Sequence, residues 1–490
     1  MSGDGREPGE ASPNSRLAVC SPSSPEPPQP ASRHLVRRIA WPICIIVVMG
    51  LVARVACLRG WPAPAYIQGP SMADAYVGEH WQIGCPHCQF IYRCAVERTP
   101  VDEPLICPNC GLTHSLASNA ELRPADRVWI DRWPTLVAPH ALPRGAVVAM
   151  TDPNSPDEFA IKRLVGFPGE SISIRQGDLW VNDSPWRKTW NEFTSQWIVV
   201  HDDRFRASRD APMPNRWRPD SANQGWTIQA TGYRFTPVRH AENESRESMS
   251  AAEPTLADEA FAWLRFHPVA GFARPSSAAA SVPIRDLDVH TPDTSRPLHL
   301  VSDIALQLRL NLGTRARFVT QLRNGRESLR VEYDGNEHWQ AGRWENGRWL
   351  APVRFSLPHS REDHDWELAV AQCDHRLFVV VDGDVYVQQS LPLESAIVKA
   401  ETHPWSIGAA DGDVEVRDLR VFRDIHYLAS SQAPEGDDRF PTWTLHDDQW
   451  FVLGDNPAVS IDSRTWTKPG VHRRNLYGCV QRWTKRSESD

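Results

Sequence analysis

From Ile39 to Leu58 the chain carries no charged side chain except Arg54, a run of 20 residues. As a helix rising ~1.5 Å per residue it would measure about 30 Å, long enough to cross a bilayer. No other stretch restricts the outcome so strongly. Arg54 stands near the far end, where its stem can snorkel to the interface beside Arg59 and Trp61. A cleaved signal peptide is the competing reading, but the long polar N-terminus and the length of the run argue against it. Arg33, Arg37 and Arg38 precede the run, so the positive-inside rule favours a cytoplasmic N-terminus. Everything after the run would then face the exported, periplasmic side.

Residues 1–38 are expected to be a disordered cytoplasmic tail, because Met1 to Ser32 is rich in Pro, Ser, Gly and Glu with few large apolar side chains. At 490 residues the chain exceeds one ordinary domain, so two or three folded units are expected. The formal charge of −8 comes with Lys and Arg scattered among acidic residues, which argues against a nucleic-acid partner. Short alternating apolar segments separated by turn residues describe a mainly β protein.

Two knuckles follow the apolar run, Cys85-Pro86-His87-Cys88 and Cys107-Pro108-Asn109-Cys110-Gly111. Each can direct two thiolates at one tetrahedral ion, and four sulfurs would close the shell of a structural zinc. Disulfides in an oxidising compartment are one alternative. A site that takes Cys94 or His114 in place of one ligand is another. Cys20, Cys44, Cys57, Cys373 and Cys479 show no pairing pattern and read as free or core thiols.

Gln68-Gly69-Pro70-Ser71-Met72 lies just past the apolar run and is answered by Ala160-Ile161-Lys162-Arg163. A serine hydroxyl needs an adjacent base to become a nucleophile. A lysine serves only if burial makes it neutral. Phe159, Ile161, Leu164 and Val165 surround Lys162 with apolar side chains, although a strand lysine reaching solvent would look the same in sequence. Asp126 to Asp131 and Pro143 to Met150 read as strands leading to it. Ser171 to Asn182 reads as a hairpin turning at Gly177-Asp178. Far downstream Trp450-Phe451-Val452-Leu453 enters Gly454-Asp455-Asn456, a strand ending in a site-bearing loop that runs to Arg464.

These blocks in this order resemble the type I signal peptidase family. The carriers are a membrane anchor, Gly69-Pro70-Ser71-Met72, the Gly145 to Met150 strand, Ile161-Lys162-Arg163-Leu164-Val165-Gly166-Phe167-Pro168-Gly169-Glu170, and Gly454-Asp455-Asn456 with Ser460-Ile461-Asp462-Ser463-Arg464. The resemblance covers roughly residues 40 to 80, 120 to 190 and 445 to 485. It implies a β-rich catalytic domain on the outer membrane face that removes signal peptides from exported preproteins, with small residues, usually Ala, before the cut. By position it makes Ser71 the nucleophile and Lys162 the general base, with Ser460 bonding and orienting Lys162. Asp462 and Arg464 would pair behind the site, Met72 would pack near the scissile bond, and Arg163 would be structural. Gly69 stands where many relatives carry a hydroxyl that helps bind the oxyanion. Asp74 and Pro457 also depart from the family pattern, and an Asp three residues from the nucleophile could hold Lys162 charged.

The domain order expected is a helix at 39–58 and a first catalytic part at 62–190 with a zinc ribbon at about 82–115. An insert at 191–445 follows, with a β-sandwich at about 290–428, and a second catalytic part at 446–485 closes the order. Strands at Ala305 to Leu312, Ala316 to Arg323, Ser328 to Tyr333, Trp366 to Gln372, Arg376 to Val381, Val385 to Gln389 and Val414 to Arg420 alternate in the insert. This section resembles the concanavalin-like or laminin-G-like jelly rolls, whose members often bind sugars or proteins. Trp339, Trp344 and Trp349 could stack on a sugar ring, or be core residues. Asp382-Gly383-Asp384 could bind calcium, or be only a turn.

The expected activity is that of a membrane-anchored serine endopeptidase with a Ser/Lys dyad. It needs no cofactor for catalysis and has membrane lipid and preproteins as partners. The alternative is a weak or inactive signal-peptidase-like surface protein whose sandwich binds a glycan or protein.

Overall fold

Alternating side chains become strands throughout most of the chain. The computed structural model describes residues 32–59, 63–98, 105–116, 120–153, 155, 157–206, 214–221, 225–238, 260–269, 281–291, 296–324, 327–357, 364–393, 401–429 and 440–482. It falls into two units, Met1–Gly60 and Trp61–Asp490. Of the expected tail, residues 1–31 lie outside the described residues.

In the first unit the apolar run is helical, within a helix spanning Ser32–Arg59. It exposes Trp41, Ile45, Ile46, Val48, Met49 and Val52. Its bounds also take in Arg33, Arg37, Arg38, Arg54 and Arg59. Among the described residues no helix is long and apolar enough to cross a membrane, so the expected span finds no support here.

The second unit is built on a seven-stranded sheet whose spatial order interleaves the two ends of the chain. Along it run Ala63–Tyr66, Arg127–Asp131, Leu476–Arg482, Val147–Thr151, Phe159–Gly166, Gln449–Leu453 and Val471–His472. The late strand Leu476–Arg482 lies between two early ones, pairing Val480 with Ile130 and Cys479 with Val148. Gln449–Leu453 flanks the lysine strand, pairing Leu453 with Arg163. The early and late sequence blocks are therefore neighbours in one sheet. Its two faces bury separate clusters, one around Val148, Leu164 and Trp450, the other around Ile67, Val128 and Ala149.

A four-stranded sheet adjoins, led by the hairpin Ser171–Arg175 and Asp178–Val181. Its two-residue turn is Gln176-Gly177, one position earlier than expected. Both residues have positive φ, +54° and +95°, which suits the twist of a tight hairpin. Thr444 pairs with Ser171, so the chain leaves this sheet from Ser184–Pro185 at one edge and returns from the insert at the opposite edge.

The insert is a two-sheet sandwich around one large core that includes Trp217, Phe266, Phe318, Trp339, Trp405 and Val416. The seven strands expected in it are all present within a few residues, from Ile304–Leu312 to Val414–Arg423. The sandwich begins far earlier than residue 290, however. Ile198–Asp202, Trp217–Pro219, Trp226–Ile228, Gly232–Phe235 and Ala262–Phe266 all belong to its sheets. These strands are 3–5 residues long, too short to show a period of two amid Pro, Arg and Ser.

Trp339 and Trp344 are core residues, only 2% and 8% exposed, and Trp349 stands half-buried with its ring edge-on to Trp344 at 5.2 Å. Of the two readings open for these residues, the core one holds for Trp339 and Trp344. Asp382-Gly383 is a hairpin turn with φ of +50° and +88°, and Asp382 Oδ1 is taken by the Glu367 N–H at 2.8 Å.

Hairpin and sandwich are joined at a buried charge cluster. Lys188 Nζ donates to Asp374 Oδ1 at 2.8 Å and to Asp424 Oδ2 at 2.7 Å, and the Asp374 N–H donates to Asp303 Oδ2 at 2.6 Å. One cation thus faces three buried carboxylates, which raises the Asp303 pKa to about 8. Burial is the main cause, followed by the charges of Asp374 and Asp424.

Candidate active site and cysteine cluster

Ser71 sits on a tight turn that glycine makes possible. Gly69 has φ +72°, and a Cβ at Gly78 would come within 2.9 Å of the Gly69 nitrogen. The turn is closed by Ala73 N–H to Pro70 O at 3.1 Å and Tyr76 N–H to Met72 O at 2.8 Å. Met72 is fully buried among Ile67, Val128, Ile130 and Val147. Its side chain anchors the turn that carries Ser71 in this apolar cluster. The left-handed backbone at Gly69 also explains the missing hydroxyl, because a side chain there would be strained.

Lys162 comes from the middle of Phe159–Gly166, paired with Val148 on the neighbouring strand. Its Nζ donates to Ser71 Oγ at 2.9 Å. The side chain is 4% exposed, and burial lowers its pKa against the opposing pull of the Asp462 and Asp152 carboxylates. Strand alternation turns the next residue the other way. Arg163 Nε and Nη2 bind both oxygens of Asp455, at 2.7 and 2.5 Å, while Nη1 donates to Gly145 O at 2.6 Å.

The loop from Gly454 to Arg464 packs against the Ser71 turn. Arg464 Nε and Nη2 grip Asp462 Oδ1 and Oδ2 at 2.8 and 2.7 Å, as expected of that pair. Asp462 Oδ2 also takes the Gly454 N–H at 3.0 Å. The Asn456 N–H donates to the Ser71 carbonyl at 3.1 Å.

Ser460 is brought to the same place, yet its buried Oγ makes no hydrogen bond, so the expected bond to Lys162 is not formed. The hydroxyl instead faces Gly454, where an added Cβ would lie 2.2 Å from it.

Asp74 does not face Lys162. Its pKa is raised to about 6, first by desolvation and then by Asp288, with Arg423 and Arg93 pulling the other way. Its side chain retains accessible surface, but it projects into a crevice between the Ser71 turn and the insert, bounded by Ile198, Ile425 and Asp455. The leading carboxylates acting on Lys162 are Asp462, Asp152 and Asp455, so Asp74 is not among its main electrostatic partners.

The four knuckle cysteines converge. Their sulfurs all lie within 4.8 Å of one another and are buried, with Cys85 to Cys110 and Cys88 to Cys107 both at 3.6 Å. A disulfide needs about 2.05 Å. Tetrahedral Zn–S bonds of about 2.3 Å set the S···S edge near 3.8 Å, so the donor set fits zinc. His114 is engaged by Tyr92 Oη at 2.8 Å through Nε2, outside the sulfur group. Asn109 of the second knuckle binds the sandwich, its Nδ2 donating to Phe205 O at 2.8 Å and its Oδ1 accepting from the Asp202 N–H at 2.7 Å. The ribbon is thus fastened to the insert as well as to the Ser71 side.

Sequence reasoning missed Gly454 as a packing requirement and Thr291, which takes the Asn456 Nδ2 hydrogen bond at 3.0 Å. The first had a signal in the small residue following an apolar strand. The second had none.

Residues 37–198 match the family model described as signal peptidase, peptidase S26. The matched stretch contains Ser71 and Lys162, and it supports a signal-peptidase-like domain of the serine peptidase class. No curated protein matches the chain. Among solved structures, galectin LEC-6 of Caenorhabditis elegans is similar at 14% identity over 29% of this chain and 89% of its own, with a TM-score of 0.21. The β-glucanase of Bacillus licheniformis is 8% identical over 24% and 64%, with a TM-score of 0.20. The carbohydrate binding module CBM66 from Bacillus subtilis is 10% identical over 43% and 93%, at 0.23. TM-scores this low carry no argument about what this chain binds.

Proposed function

We propose that the chain is a membrane-anchored serine endopeptidase that removes signal peptides from exported preproteins. The observation that carries the reading is the 2.9 Å hydrogen bond between a buried Lys162 Nζ and Ser71 Oγ, with the lysine pKa lowered by burial. A neutral Lys162 accepts the Ser71 proton as Oγ attacks the carbonyl carbon of the scissile bond. The resulting ammonium gives that proton to the leaving amine. Neutral again, Lys162 takes a proton from water, whose oxygen attacks the acyl carbon, and returns that proton to Ser71 Oγ as the ester bond breaks. The Ser71 N–H is positioned on the turn to serve as an oxyanion donor.

Asp462 and Arg464 act as the supporting pair that shapes the loop, and Arg163 with Asp455 fixes the other face of the lysine strand. Ser460, on the loop that packs against the Ser71 turn, is assigned the role of orienting Lys162, and Gly69 and Met72 shape the nucleophile turn. The substrates are preproteins with small residues, usually Ala, before the cut. The Ser32–Arg59 helix supplies the anchor, its exposed apolar side chains from Trp41 to Val52 favouring lipid, with the catalytic unit on the exported side. Cys85, Cys88, Cys107 and Cys110 hold a structural zinc, whose closed shell leaves no position for catalysis.

The test is cleavage of a preprotein in liposomes by wild type, Ser71→Ala and Lys162→Ala. Wild type alone should cut after a small residue. Equal cutting by wild type and Ser71→Ala, with both proteins folded, would overturn the assignment.

A further inference from the structure

The insert reaches the nucleophile through hydrogen bonds. The Ser71 carbonyl accepts the Asn456 N–H at 3.1 Å, and Asn456 Nδ2 donates to Thr291 Oγ1 at 3.0 Å. Thr291 Oγ1 in turn donates to Asp288 Oδ2, while Asp288 Oδ1 accepts the His290 N–H at 2.8 Å. Asn456 and Thr291 are each 3% exposed. They are 165 positions apart in the chain. The segment bearing Thr291 is itself tied down on two sides. The Ala95 N–H of the ribbon donates to His290 O at 2.9 Å, and Arg423 Nη2 of the sandwich donates to Leu287 O at 2.8 Å.

A threonine hydroxyl has one proton and two lone pairs, and here the proton goes to a carboxylate while a lone pair takes the Asn456 amide. The acceptor is charge-assisted, which strengthens the bond and fixes the rotamer of Thr291. Asn456 Oδ1 makes no hydrogen bond, so its side-chain amide is held through Nδ2 alone. Loss of the Thr291 hydroxyl would free the amide to rotate and loosen the backbone N–H that holds the serine turn. We infer that Thr291, contributed by the insert and oriented by Asp288, is a positioning residue for Ser71, acting through Asn456. The large insert is then a working part of the catalytic unit. This deepens the peptidase reading and rests on it for its kinetic test.

The experiment compares full-length wild type, Thr291→Val and Thr291→Ser. Valine keeps the shape and removes both the donor and the acceptor. Preprotein cleavage should show kcat lower by roughly tenfold in Thr291→Val at nearly unchanged KM, with Thr291→Ser close to wild type. The substrate-binding surface is left intact, so a purely structural loss would move KM or stability as well. Amide hydrogen exchange across residues 454–458 is measured in parallel and should be faster only in Thr291→Val. Unchanged kcat and unchanged exchange in the valine variant would overturn the inference. Should wild type cut no preprotein, the peptidase reading fails by itself. The exchange comparison still decides whether Thr291 holds Asn456.

Discussion

Gly454 and Ser460 are in such close contact that a single methyl group cannot be placed between them. A Cβ on Gly454 would lie 2.2 Å from Ser460 Oγ and 2.5 Å from the Ser71 carbonyl oxygen. Contacts below 3.0 Å must be relieved, and the backbone of the nucleophile turn is one of the two groups that would have to move. Gly454→Ala is therefore expected to fold but to lose about 100-fold or more in kcat, since displacements of about 1 Å at a reacting group have that scale. Preprotein cleavage beside a thermal melt separates the two effects. Near-wild-type kcat would mean that the loop yields without moving Ser71.

Lys162 must be neutral to accept a proton, and burial has already moved it below the ordinary lysine range of about 10.4. Activity should climb with pH along one limb as Lys162 loses its proton. Asp74 is not among the leading charges acting on Lys162, so Asp74→Asn should leave the midpoint of that limb nearly in place. A downward shift of about one pH unit would instead place Asp74 beside the lysine after all.

The buried Asp303 gives the junction of hairpin and sandwich a pH dependence of definite sign. Its pKa is about 8 in the fold, against an ordinary value of 3.8. Between these values the folded chain holds a proton that the unfolded chain has released. This carboxyl therefore makes stability fall as pH rises through that window, with no further change above it. Asp303→Asn removes the slope while keeping an oxygen for the Asp374 N–H. The variant's melting temperature relative to wild type should be higher at about pH 9 than at about pH 4.5. The same difference at both would show that Asp303 is ionised throughout.

Four sulfurs gathered this closely would repel one another as thiolates without a cation. Purified protein should carry one zinc per chain by elemental analysis, and Cys107→Ser should carry less. Removing the metal should lower the melting temperature and release the Asn109 contacts with the sandwich, visible as faster amide exchange at Asp202. Metal-free protein with an unchanged melt would argue against a structural ion.

Much of this architecture is readable from local chemistry. Ser71, Lys162 and the two knuckles announce themselves because each lies in a short contiguous pattern, and seven of the later sandwich strands because each is an apolar-rich run of five residues or more, while Trp339–Glu345, Arg348–Phe355 and Trp405–Ala410 went unread. What could not be read depends on contacts between distant segments. The electrostatic setting of Asp74 includes Asp288 and Arg423 of the insert, and the burial of Trp339 depends on partners such as Phe318 and Phe355 on other strands. Ser460 illustrates a finer limit. Its position in the motif was legible, but its hydroxyl geometry depends on how closely Gly454 approaches.

The placement of Leu476–Arg482 between Arg127–Asp131 and Val147–Thr151 also sets an order of events. A chain emerging N-terminus first has Ser71 and Lys162 available early, but the strand that joins their halves of the sheet and the loop that holds the serine turn follow only after the whole insert. The sandwich and ribbon can form while the sheet is still open. Alignment of Ser71 with Lys162 therefore waits on residues made more than 300 positions after the lysine, so a chain halted inside the insert would carry both residues without the sheet that aligns them.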